Sequence, residues 1–190
     1  MTTPPYDVSP TTGRTERVAP RSAVVAAHLV PLVVLPSGVW RVLLGCGVSM
    51  GFNRATLEAE GFPGRGTVMV VGLTLLTEAL ALLTLGLVRP WGETFPRWLP
   101  LVGGRRVPAT PVVALATTGG LALTAMWTFA LRNALLNDGL DEISSGAWHA
   151  VAVACYLPAL AWGPLLLHVT WLYHRRRAAS ARRERVPARL

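Results

Sequence analysis

The side chains able to do chemistry are few in this 190-residue chain, and the most telling of them, Arg41 and Glu78, each interrupt a long apolar run. If those runs cross a bilayer, either charge alone at depth costs at least about 2.5 to 3.5 kcal/mol on insertion scales. Pairing, neutralisation or movement to the interface must relieve that cost. At about 1.5 Å per residue, Glu78 lies about 16 Å inside the outer boundary, and Arg41 about 10 to 15 Å inside it when the first helix continues to Ser49. The geometry therefore predicts an intramembrane ion pair between Arg41 and Glu78 that sets the register of helix one on helix two. A proton or ion site at Glu78 is the competing reading. If helix one ends at Trp40 instead, Arg41 reaches the outer headgroups and Glu78 must find Thr or water partners.

Other polar side chains fall on stripes. Thr74, Thr77, Ala81 and Thr84 recur at three and four residues on the second apolar run, as do Ala114, Thr117, Leu121, Thr124 and Thr128 on the third. Such spacing places each set on one helix face. The expectation is that helices two and three face each other through a polar seam of Thr74, Thr77, Thr117, Thr124 and Thr128, with Gly119 and Gly120 permitting close approach. Gly38, Arg41, Gly45 and Ser49 share a face of helix one in the same way.

His28 and His168 each stand about six residues from an end of their runs and are weak candidates for axial haem ligation. Inward histidines hydrogen-bonded across helices explain them more simply. No other metal set appears. Cys46 and Cys155 lack the C-x-x-C spacing of redox relays and read as small buried hydrophobes. There is no nucleophile elbow, P-loop, His-Glu-x-x-His helix or paired-carboxylate spacing. The sequence thus calls for no catalytic residue and no cofactor, and an enzyme is the least supported class.

The elements that must position these groups follow from composition. Apolar residues make up 52% of the chain and charged residues 15%, against roughly 25% charged in soluble domains. An ordinary soluble domain does not look like this. The formal net charge of +8 is carried entirely by Arg, which reads as the coding bias of a GC-rich genome. Most of the excess flanks apolar runs, so it reports topology, and without a folded basic face or aromatic platform it does not point to nucleic acid.

The first 21 residues are rich in Thr and Pro, and too polar to bury a core, so they read as a disordered cytoplasmic tail. The run that follows exceeds the 7 to 15 residues of a signal-peptide core and is read as a retained span. Residues 22–174 form the membrane domain, with helices over about 22–49, 67–88, 111–131 and 148–173, close to the roughly 20 residues that cross the hydrocarbon. Pro31 and Pro36 in helix one, and Pro158 and Pro164 in helix four, are expected kink sites. The loop of 53–66 is charge-balanced and the loop of 132–146 acidic, whereas 89–108 and 175–190 are basic; the tail from His174 carries seven Arg against one Glu. Basic segments stay inside. The fold class is thus an all-α membrane protein of four transmembrane helices in two helical hairpins, N-in and C-in, placed in a bacterial plasma membrane. Anionic lipid headgroups are the expected partners of the tail and the central loop.

That central loop, residues 89–108, carries Trp91, Phe95, Arg97, Trp98, Arg105 and Arg106. Its rings recur at four and three residues, which suits a segment lying along the surface with rings at headgroup depth. Gly103-Gly104-Arg105-Arg106 could bind a lipid phosphate, though a turn plus inside charge accounts for the same residues. The pattern W-G-x-x-F-P-R-W-x-P, followed by G-R-R-V-P, resembles that of a group of uncharacterised bacterial four-helix membrane proteins in which this segment joins helices two and three. Trp40-Arg41 extends the resemblance to the membrane domain. It implies topology and no activity. The function best supported is a structural or accessory membrane component. The alternative is a small proton- or ion-coupled carrier using Glu78, which would need a homo-oligomer because four helices enclose little volume. A membrane haem protein using His28 and His168 is a distant third.

Overall fold

The computed structural model describes residues 19–89, 107–136 and 147–184. The expectations for Trp91, Phe95, Arg97, Trp98, Arg105 and Arg106, and for the N-terminal tail up to residue 18, lie outside the described residues. The described elements are all helical: α1 (Arg21–Gly45), α2 (Arg54–Ala59), α3 (Arg65–Leu83) with a 3₁₀ turn (Thr84–Leu87), α4 (Ala109–Leu136), α5 (Ala147–Tyr156), a second 3₁₀ segment (Leu157–Ala161) and α6 (Trp162–Glu184). Four stretches are long and apolar enough to cross a membrane, namely Arg21–Gly45, Arg65–Leu87, Ala109–Asn133 and Ala147–Ala179. The protein is an all-α chain with four candidate spans, as the composition predicts.

Local chemistry explains the element boundaries. α1 runs without interruption through Pro31 and Pro36 and ends at Gly45, between the two ends the sequence left open. Ser49 lies beyond it, exposed, so it does not share the face of Gly38, Arg41 and Gly45. The chain then turns through Gly47 and Gly51 at positive φ and drops Met50 into a cluster with Trp40 and Ala152. Asn53 caps the short α2 by accepting from the Thr56 amide at 3.2 Å. Thr67 ties α3 to α1: its hydroxyl accepts from the Gly64 amide at 3.0 Å and donates to the Gly45 carbonyl. In the fourth span Pro158 removes a backbone donor, and the helix tightens to 3₁₀ over Leu157–Ala161 before restarting at Trp162. Pro164 then falls in a first turn, where a missing amide costs nothing. α6 does not stop near Tyr173 but continues to Glu184, because nothing between Arg175 and Arg183 breaks a helix.

Packing is antiparallel and stacked in three layers. Ala26 and Ala27 of α1 meet Leu87, Val169 and Tyr173; Val30 and Val34 meet Ala81 and Trp162; Trp40 meets Ala152. α4 packs on α6, where Gly120 stands against Leu167 and Gly163. This corrects the expected pairing of the threonine seams. No Cα of α3 comes within 8 Å of one in α4, because α1 and α6 fill the middle and α3 and α4 flank them. The outward side chains suit lipid: Val68 and Met69 are each 75% exposed and Leu115 76%. In water these would form a large apolar patch, whereas lipid tails are as apolar as the helices themselves.

Candidate functional site

Two features lie within the spans, a polar cluster and a cavity. The cluster is made where α1 and α3 cross. Gly38 and Gly45 let the helices approach: a Cβ at Gly38 would lie 3.1 Å from Thr74 Cγ2 and 3.2 Å from Glu78 Oε1, and one at Gly45 would lie 3.5 Å from Thr67 Cγ2. Arg41 sits between these levels. Its Nη2 donates to Thr77 Oγ1 at 3.3 Å, and the Thr77 hydroxyl donates to the Thr74 carbonyl at 2.9 Å.

The expected Arg41–Glu78 ion pair is not closed. Arg41 Nε, Thr74 Oγ1 and Glu78 Oε1 are all buried without a hydrogen-bond partner. Arg41 lies three residues from Gly38 toward the far end of the spans, an axial step of about 4.5 Å, while Glu78 is level with Gly38 itself. The guanidinium bridges that offset as far as the Thr77 hydroxyl.

The seam residues therefore divide. Thr74 and Thr77 face α1; Thr124 lies on the α6 side of α4, beside Gly163, and donates back to the Gly120 carbonyl at 2.7 Å. Thr117 is half-buried on α4, and Thr128 is exposed. They do not line one channel.

The cavity was not foreseen. About 420 Å³ of space opens between α1, α4 and α5, walled by Trp40, Leu44, Phe52, Trp127, Tyr156 and Leu160, with Ala130, His149 and Leu157 also lining it. Trp40 and Trp148 have ring centroids 6.2 Å apart at 59°, and Trp127 and Tyr156 are 6.2 Å apart at 51°. The indole N–H of Trp127 is buried without a partner. Aromatics near one shared end of three spans were the available sequence signal, but interfacial anchoring explains them equally well.

The histidines are not brought into a shared site. His28 Nδ1 donates to the Val24 carbonyl at 2.7 Å, which leaves Nε2 as the acceptor for Arg89 Nη2 at 3.5 Å. His168 is exposed, its ring 6.4 Å from Trp171. No group of three or more metal-ligating side chains occurs among the described residues. Cys46 is exposed beyond the end of α1, contrary to the buried role expected for it, and Cys155 is half-buried; both are free thiols.

At the other end of the bundle the arginines do more than mark a stop. Arg176 Nη2 donates to the Leu87 carbonyl at 3.0 Å and Arg177 Nη2 to the Val107 carbonyl at 2.7 Å. Arg175 lies over the Trp171 ring at 4.7 Å. The base of the tail thus grips both ends of the segment that joins the second and third spans. Comparison with protein-family models, with curated proteins and with solved structures found no match.

Proposed function

We propose that the chain is a multi-pass protein of the bacterial plasma membrane, with both termini and residues 89–108 in the cytoplasm, that serves as a structural or accessory component and not as a carrier. The observation that carries this reading is the placement of Arg41 and Glu78. Glu78 is held at the α1–α3 crossing against Gly38, Arg41 donates to Thr77 across the same crossing, and neither side chain lines the cavity, whose walls are mostly apolar. A transport path needs polar groups along a hydrated route, whereas charges gripped between two helices set packing. Orientation rests on charge: Arg21, Arg89 and Arg175 to Arg177 gather at one end, while Arg54, Glu58, Glu60 and Arg65 mix signs at the other. The resemblance of the central loop to uncharacterised four-helix proteins belongs with the same topology.

Reporter fusions at residue 100 and at the C-terminus should read cytoplasmic, and fusions near 60 and 140 external; inversion of either pair overturns the orientation. Vesicles reconstituted with the protein should show no proton or cation flux above empty vesicles. Flux that Glu78→Gln abolishes would replace this reading by that of a carrier, with a homo-oligomer supplying the path.

A further inference from the structure

The accessory reading makes no use of the cavity between α1, α4 and α5. We propose that this cavity holds one acyl chain of a membrane phospholipid, with the ester carbonyl at its rim beside His149.

Depth is the first support. The lining on the fourth span runs from His149 to Leu160, eleven residues or about 16 Å of helix, which is half of a hydrocarbon core of about 30 Å. A site as deep as one leaflet suits an acyl chain that already lies alongside it. Volume agrees: about 420 Å³ falls in the range of roughly 300 to 1,000 Å³ typical of small-molecule sites.

The walls select among apolar ligands. Trp127 and Tyr156 both line the cavity and are inclined at 51°, so they do not form the parallel slot in which a flat ring would stack. Leu44, Leu157 and Leu160 complete a surface that a flexible chain can follow. Three lining residues carry polar atoms: His149, Tyr156 and Trp127, whose indole N–H is buried without a partner. His149, half-buried in the first turn of α5, makes no hydrogen bond to another described residue, and it stands at the height where ester carbonyls meet water. The Tyr156 hydroxyl lies seven residues deeper, about 10 Å, below the level of the ester.

The test uses the full-length protein in vesicles of phosphatidylcholine and phosphatidylglycerol, doped with a phosphatidylcholine that carries a diazirine on one acyl chain. After photolysis, peptides covering 127–131 and 152–160 should carry adducts several-fold above those on the lipid-facing residues Leu75 and Leu76 of α3. Ala130→Trp adds bulk at an exposed lining position and should lower the cavity adducts to that reference, with helix content and melting unchanged. Should Ala130→Trp fail to fold, Leu157→Trp, also exposed and lining, makes the same test. Labelling no higher than at Leu75 and Leu76, or labelling indifferent to both substitutions, overturns the proposal. So does competition by a short-chain quinone together with none by lysophosphatidylcholine, which would assign the cavity to a flat ring.

Discussion

Gly163→Ala probes the crossing on which the third and fourth spans depend. A Cβ at Gly163 would lie 2.8 Å from the Thr124 amide nitrogen and 2.9 Å from the Gly120 carbonyl oxygen, with the Thr124 hydroxyl closer still. Two of these neighbours are backbone, so no side-chain rotation relieves them, and α4 must move away from α6 to reach the 3.4 Å of ordinary contact. Overpacking of this kind costs about 1 to 3 kcal/mol. Alanine also gains about 0.8 to 1.0 kcal/mol of helix propensity over glycine, which masks part of the loss. Gly119→Ala removes that ambiguity. Nothing lies within 4 Å of a Cβ at Gly119, so it carries the propensity gain without the clash, and the difference between the two variants isolates the crossing. Gly163→Ala should therefore melt below Gly119→Ala by about 2 to 12 °C in detergent, taking about 2 to 4 °C per kcal/mol for a chain of this size. Equal melting, or a more stable Gly163→Ala, would refute the α4–α6 contact. Gly120→Leu should also destabilise, but through Leu167 of α6 and not through the second span.

Two further outcomes follow from named hydrogen bonds. Arg41→Ala and Thr77→Val should be coupled in a double-mutant cycle by about 0.6 kcal/mol and no more than about 1.7 kcal/mol, whereas Arg41→Glu combined with Glu78→Arg should recover little of the single losses; additive losses in the first pair, or full recovery in the second, would restore the ion pair as the organising contact. Arg176→Ala and Arg177→Ala each remove a charged donor from a backbone carbonyl, a bond worth up to about 1.5 to 3 kcal/mol and less where water screens it, so both should lower the melting temperature while Arg54→Ala, at an exposed position of α2, leaves it unchanged.

The sequence by itself determined the class and the number of candidate spans. Apolar runs of about 20 residues bounded by arginine and glycine admit few alternatives, since a bilayer tolerates only backbone that satisfies its own hydrogen bonds. It also determined the small face of α1 at Gly38 and Gly45, and the break near Pro158, because both follow from residues a turn or so apart on one helix. Tertiary structure decided the rest. Periodicity assigns Thr74 and Thr124 to a face but says nothing of what meets it, and what meets them lies far away in sequence: α1 for Thr74, α6 for Thr124. Arg41 found Thr77 and not Glu78 because an axial step between crossing helices depends on where two surfaces seat. Arg176 and Arg177 read as a stop signal until Leu87 and Val107 stood beside them. The cavity is the plainest case: its walls come from α1, the turn after it, α4, α5 and the second 3₁₀ segment, and a space between helices leaves no pattern along any one of them.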